Sequence, residues 1–274
     1  MAKGADNPFS YEGKRVVITG AYSGVGAALL ELIDGLGAEH ITVVDLKEPS
    51  GPASEFVQAD LSDEAAVDRA VAAIEGPVHA LFNNAGVAAT LPTETVMAVN
   101  YLAVRRLTEG LRDRVPEGAA VAITASIAGA GWQAHLGEIQ ELFAVDGWDE
   151  SLEWIAAHPD LFGDSYSFSK ECMQVYTLWS AREAQRCGLR VNSVCPSPIE
   201  TPLLPEFRET MSDKTIDWCI EESGRVAQPR DIALVLAFLG TDASGFVNGV
   251  NVNVDLGFSA GMAMGQVDFG ALMA

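Results

Sequence analysis

Positive charge is scarce in this chain of 274 residues: 17 lysines and arginines stand against 38 acids, a net charge of −21. A surface so negative repels nucleic acid and anionic membranes, so neither is an expected partner. Cysteine is scarce too. Cys172, Cys187, Cys195 and Cys219 show no metal-ligand spacing. No metal site is expected, and the four read as reduced thiols of a cytoplasmic protein. No apolar run is long enough, and free enough of polar residues, to read as a membrane-spanning helix, and no signal-peptide pattern opens the chain. Internal repeats, low-complexity tracts and linker-like breaks are missing as well.

What is there is a chain 49% apolar, enough for one large α/β core. Strand-like and helix-like patterns alternate from Arg15 to Val254. That order predicts a doubly wound parallel sheet of seven strands with helices on both faces, in a single domain over residues 1–274. A loose arm over 1–12, a helical insertion over about 131–164, a lid over about 203–225 and a tail over 258–274 are expected around it.

The first strand, Val16-Val17-Ile18-Thr19, runs into Gly20-Ala21-Tyr22-Ser23-Gly24-Val25-Gly26, and an apolar helical pattern starts at once. Glycines let a backbone approach a pyrophosphate, and the free N–H groups of a helix start face its charge. A plain tight turn is the alternative. The second strand ends in Asp45, 19 residues after Gly26, close to the spacing of an acid that accepts from an adenosine ribose. Its carboxylate repels a 2′-phosphate, and uncharged Leu46 follows it, with Lys47 one place on. The balance favours NAD over NADP. A capping role for Asp45 is the plain alternative.

The third strand is expected over Phe56–Leu61, with Asp60 and Leu61 at its end facing the cofactor. A helix over Ser62–Ile74 follows, capped by Ser62 or Asp63. The fourth strand, Val78–Phe82, runs into Asn83-Asn84-Ala85-Gly86, where small residues let a cofactor lie on the strand end. An ordinary Asn-Gly turn is the other reading.

These motifs, followed by Tyr166-Ser167-Phe168-Ser169-Lys170, resemble the short-chain dehydrogenase/reductase family from about Gly13 to Gly257. Within it the chain is most similar to bacterial 3α-hydroxysteroid dehydrogenase/carbonyl reductases. The shared features are the missing crossover helix after Asp45, Val99-Asn100-Tyr101, the long segment before Tyr166, and Glu200-Thr201-Pro202-Leu203-Leu204.

Tyr166 and Lys170 share a helix face. A Tyr is a poor base at neutral pH, and a nearby ammonium favours its phenolate. The resemblance implies that Tyr166 moves the proton while Lys170 also binds the nicotinamide ribose. It implies that Ser126, after the strand Ala120–Ala125, bonds the substrate oxygen, with Thr124 a rival. It implies that Asn100 kinks its helix and holds a water for proton relay. Asn84, Ala85 and Gly86 are expected against the cofactor, as are Pro196, Ile199 and Thr201 after the sixth strand, Arg190–Cys195. Relatives usually have Gly where this chain has Ser197, which puts the shape of that loop in question.

Ser126 and Tyr166 are 40 residues apart, and the segment between them carries Leu136, Ile139, Leu142, Phe143, Leu152, Trp154 and Ile155 in two amphipathic stretches. They pack on the body, wall a large pocket, or alter a subunit interface. Leu203 to Arg225, with Phe207, Met211, Ile216 and Trp218, reads as a lid over the substrate. A last strand over Val247–Val254 and an apolar helix over Asp231–Leu239 are expected to meet a second subunit, giving a homodimer or homotetramer. The uncharged tail is expected to lie on protein, across that interface or near the neighbour's active site.

The resulting expectation is reversible NAD-dependent oxidation of a secondary alcohol to a ketone, with a bulky alicyclic or steroid-like small-molecule substrate. The alternatives are an NAD(P)-dependent reductase of smaller ketones and a dinucleotide-sensing protein without turnover.

Overall fold

The computed structural model describes residues 7–267. Seven strands form one parallel sheet in the order β3-β2-β1-β4-β5-β6-β7. They are β1 Arg15–Thr19, β2 His40–Asp45, β3 Glu55–Gln58, β4 Ala80–Asn83, β5 Ala120–Thr124, β6 Arg190–Pro196 and β7 Asn251–Val254. The central strands are buried on both faces, which is why they read as unbroken Val, Ile, Ala and Leu runs. Helices α1 Gly24–Gly35 and α10 Pro229–Leu239 cover one face. Helices α2 Glu64–Ala73, α4 Ala103–Gly110 and α7 Ser165–Arg186 cover the other. Strand order reverses between β1 and β4, so a crevice opens beyond their carboxyl ends.

The expected strands are all present, with ends shifted by a few residues. β3 stops at Gln58 because Ala59 already turns, its N–H donating to Asp45 O at 3.0 Å. β4 begins at Ala80, and β5 ends at Thr124. The largest shift is in β7. Residues 247–250 are not strand: Asn248 Oδ1 takes Val191 N–H at 2.9 Å, its amide donates to Ala181 O, and Gly249 turns left-handed at φ +71°. α2 starts with Asp63 as N-cap, its carboxylate accepting from Ala65 N.

Helix α3 Thr93–Met97 continues into α4 through a π turn, Ala98–Leu102, which contains Asn100. On α4, Arg106 forks onto both oxygens of Asp68, at 2.6 and 2.7 Å. Arg105 donates to the carbonyls of Phe143 (3.2 Å) and Val145 (3.5 Å).

The insertion folds as a 3₁₀ stretch Ile127–His135, helix α5 Leu136–Ala144 and helix α6 Trp148–Ala157. Ile139, Leu142, Phe143, Trp148 and Ile155 are buried. Phe143 stacks on Tyr101 at 5.2 Å and meets Trp179 edge-on at 5.6 Å. Thus the insertion packs over α4 and α7 and does not wall the cavity, since no residue from 131 to 163 lines it. Its apolar stripes are consumed by the body.

The arm is not loose where it is described. Tyr11 is fully buried, its hydroxyl donating to Ala237 O at 2.6 Å, and Pro8 O accepts from Ala243 N. An aromatic ring at the end of α10 is worth more buried than in water. The tail likewise turns onto its own chain. Helix α11 Phe258–Ala263 lays Phe258 against Trp218 of the lid at 5.3 Å. Residues 1–6 and 268–274 lie outside the described residues, including the rest of the expected tail. No helix of the described residues is long and apolar enough to cross a membrane.

Candidate active site

The crevice is a cavity of about 910 Å³. Its floor is the glycine loop after β1. Gly26 packs so tightly that a Cβ there would sit 2.0 Å from Gly20 O, and one on Gly20, at φ +69°, would sit 2.6 Å from Ala85 Cα. Only glycine fits at either place. Thr19, unremarked in the sequence, closes the arrangement: its hydroxyl oxygen accepts from Asn84 N and Ala85 N, both at 3.0 Å. Asn84 then donates to Gly20 O at 3.0 Å and accepts from Thr124 Oγ1 at 3.1 Å. Thr124 is therefore engaged with Asn84. Asn83 is buried and donates to Thr108, a structural role.

Helix α1 starts at this loop with no acid in its first turn and no side-chain cap from Ser23. Its first N–H groups are thus open to an anion. At the end of β2, Asp45 accepts from Tyr22 N at 2.9 Å and from Lys47 N at 3.2 Å. Tyr22 and Leu46 are half exposed at the rim, and Lys47 Nζ sits 5.2 Å from the Tyr22 ring centre. Ser23, Gly24, Val25, Asp60 and Leu61 line the same end, although Asp60 Oδ1 is taken up by Ser62. The cradle, the bare helix start and the carboxylate fit a dinucleotide.

At the other end of the floor, Tyr166 projects from the first turn of α7. Asp164 caps that turn, accepting from Tyr166 N at 3.0 Å and from the Ser167 hydroxyl. Lys170 Nζ lies 5.4 Å from the Tyr166 ring centre and donates to Thr124 O at 3.0 Å. Ser126 accepts from Ala128 N at 3.1 Å, which leaves its own proton for donation. Its carbonyl is held by Gln174 Nε2 at 2.8 Å. Gln174 lies one further turn along the Tyr166–Lys170 face, a spacing visible in the sequence but not drawn from it.

Asn100 is fully buried. Its amide donates to Val87 O (3.1 Å) and Ser169 Oγ (3.0 Å), and its oxygen accepts from Val87 N (2.9 Å). A π turn exposes one helix carbonyl out of register and commonly marks a functional site. A Cβ on Gly86 would stand 3.3 Å from Asn100 Oδ1 and 3.5 Å from Lys170 Nζ, so this glycine keeps open the space between them.

The electrostatics depart from the sequence expectation. Burial pushes the Tyr166 phenol well above its usual value, opposed chiefly by the Ser126 hydrogen bond. Burial also pulls Lys170 down, to about 7. Lys170 is not among the groups that lower Tyr166. Both side chains have been taken out of water, and desolvation of each exceeds their mutual help.

Pro196, Ile199 and Thr201 line the cavity as expected. Ser197 keeps an ordinary negative φ, since Ser212 and Leu256 are the only described non-glycine residues with positive φ. The change from Gly therefore leaves this turn unstrained. Above lie the lid helices α8 Leu204–Met211 and α9 Asp213–Glu222. Phe207 rests on the Tyr166 ring at 4.7 Å, and Glu206 Oε2 accepts from the Thr90 hydroxyl at 2.7 Å across the mouth.

Comparison with known proteins agrees with this geometry. Residues 14–137 match the family description "short chain dehydrogenase", and residues 159–259 match "Enoyl-(Acyl carrier protein) reductase". Coniferyl-alcohol dehydrogenase of Pseudomonas sp. strain HR199 is 33% identical over 248 residues, 90% of this chain and 97% of that one. The 3-alpha-hydroxysteroid dehydrogenase/carbonyl reductase of Comamonas testosteroni is 26% identical over 260 residues, covering 90% and 97%. Among solved structures, a 3-alpha-hydroxysteroid dehydrogenase from Pseudomonas sp. B-0831 complexed with NADH superposes with a TM-score of 0.79 at 29% identity, covering 92% of this chain and 99% of that one. The glycine loop, the Asn-Asn-Ala-Gly strand end and the Tyr-Lys helix thus share one crevice on a sheet common to these relatives, and the chain belongs to the short-chain dehydrogenase/reductase family.

Proposed function

We propose that this protein reversibly oxidises a secondary alcohol to a ketone with NAD, acting on a bulky ring alcohol of alicyclic or steroid-like form. The carrying observation is the convergence of Tyr166, Ser126 and Lys170 on one end of a cavity whose other end is the glycine loop. When bound, NAD supplies the hydride acceptor. Gly20, Ser23, Gly24, Val25 and Gly26 hold its pyrophosphate, Asp45 and Leu46 its adenosine ribose, and Asp60 and Leu61 flank its adenine. Asn84, Ala85, Gly86, Pro196, Ile199 and Thr201 border the nicotinamide half, and Lys170 reaches its ribose.

Tyr166 carries the proton. Held protonated by burial, it is set to donate to a carbonyl oxygen in reduction, and in oxidation it must first lose its proton. Ser126 donates to the same oxygen and stabilises the charge that develops there. Asn100 holds the Val87 backbone and borders the Gly86 gap, a seat for a relay water. The apolar lid favours multi-ring alcohols, because each buried methylene adds about 0.8 kcal/mol of transfer free energy. Steady-state turnover of alicyclic, steroid and aryl alcohols with each dinucleotide tests the reading. Binding of NAD without turnover of any of them would leave the sensing role instead.

The cofactor preference rests on Asp45. NAD is expected to exceed NADP by at least tenfold in kcat/KM, about 1.4 kcal/mol. Asp45→Ala narrows the gap, and equal use of both dinucleotides by the natural protein refutes the ribose assignment.

Assembly is inferred from one surface. Leu234 on α10 and Val250 beside β7 are exposed, and Phe246 is fully so. With the insertion occupying the α4–α7 face, a two-fold pairing through α10 and β7 is the expected contact, in a dimer or a tetramer. Light scattering at micromolar concentration shows at least two chains per particle; a particle of one chain mass rules this contact out.

A further inference from the structure

The lid side of the cavity is walled by Leu203, Phe207, Met211, Ile216, Trp218 and Phe258, with a single ionised side chain, Glu206, among them. The cations of the cavity lining are elsewhere: Lys47 beside Tyr22 at the rim near Asp45, and Lys170 beside Tyr166. The other acids of the lining have local partners. Asp45 and Asp164 each accept at both oxygens, and Asp60 accepts from Ser62. Glu206 differs. Its Oε2 takes the Thr90 hydroxyl, and no described residue donates to its Oε1.

Taking the alcohol reading above as its basis, we propose that Glu206 selects the far end of the substrate. The substrate is an uncharged ring alcohol carrying a second hydroxyl, which donates to Glu206 Oε1. A carboxylate or phosphate at that end meets a like charge with no cation near, in a space whose apolar walls strengthen the repulsion. An ammonium gains attraction but gives up its hydration among aromatic and aliphatic walls, with half of the carboxylate already committed to Thr90. A neutral hydroxyl gains a charge-assisted hydrogen bond at far smaller desolvation cost.

Inert probes without the reacting alcohol isolate this end of the site. 4-Propylphenol, 4-propylbenzoate and 4-propylbenzylamine are titrated into the full chain by calorimetry at neutral pH. The phenol is expected to bind at least tenfold tighter than the benzoate. Glu206→Gln, which keeps an acceptor for Thr90, is expected to cut that ratio at least fivefold, and Glu206→Lys to reverse it. Similar binding of phenol and benzoate, a ratio unmoved in both variants, or no binding of any probe overturns the proposal. Tighter binding of the amine than of the phenol overturns the choice of a neutral partner. The catalytic reading fails separately: a phenol preference that depends on Glu206, with no alcohol turned over, leaves the chamber assigned and the reaction wrong.

Discussion

Tyr166→Phe lowers kcat by a factor of roughly 10²–10⁴, the worth of a positioned acid–base group, and leaves NAD affinity nearly unchanged. The phenyl ring keeps its contact with Phe207 at 4.7 Å, so the lid still closes over it. What disappears is the one hydroxyl that both donates and accepts at the reacting oxygen. The pH profile carries a second signature. Burial holds the phenol up, so carbonyl reduction is expected to be level through neutral pH, while alcohol oxidation rises steadily with alkalinity. Turnover of the Phe variant within fivefold of the natural enzyme would remove Tyr166 from the mechanism.

Lys170→Met carries an effect on stability as well as on rate. Both NAD affinity and kcat fall at least tenfold, because one ammonium is asked to bind the ribose and to sit beside the phenol. In the dinucleotide-free protein the sign of the pH dependence follows from burial. The folded protein holds Lys170 near pH 7, whereas a lysine in the unfolded chain titrates near 10.4. Between those values the unfolded chain binds the extra proton, so stability rises with pH, by roughly 1.4 kcal/mol per unit where the gap is fully open. The window closes from above. Buried Cys172, Cys195 and Cys219 are held up relative to free thiols, and above about pH 8.5 their unfolded forms shed protons and stability falls. Melting curves of wild type should therefore climb from pH 7 to 8.5, and those of Lys170→Met should not. Parallel curves would show that Lys170 remains charged in the fold.

The sequence carried the sheet order and the four residues at the reaction end because these depend on local chemistry. β-Branched runs buried on both faces, Gly20 and Gly26 in a turn that excludes a Cβ, and a Tyr and Lys one turn apart each leave a mark in neighbouring letters. Other features depend on what the chain meets after folding. The stripes of α5 and α6 look alike whether they face a ligand, a subunit or the body; only Phe143 on Tyr101 decides for the body. Tyr11 sits in a polar leader, yet its partner Ala237 is 226 residues away. Lys170 beside Tyr166 was readable as a pair, but the sign of its effect was not, because desolvation depends on the whole surround. Glu206 was one acid among many until the lid brought it into a chamber otherwise apolar.

The π turn at Ala98–Leu102 makes this helix sensitive to length in one direction. Such a turn holds one residue more than the α-helix would, so deleting any one of the five lets the backbone relax into a continuous α-helix. Every residue after it then rotates by about 100° relative to those before. Arg106 swings away from Asp68, Arg105 leaves the carbonyls that end α5, and Asn100 or its successor no longer faces Val87. Point substitutions in this stretch leave the frame intact, whereas a one-codon deletion dismantles two helix contacts and the site together. Gene-wide libraries should thus tolerate changes of letter here far better than loss of one.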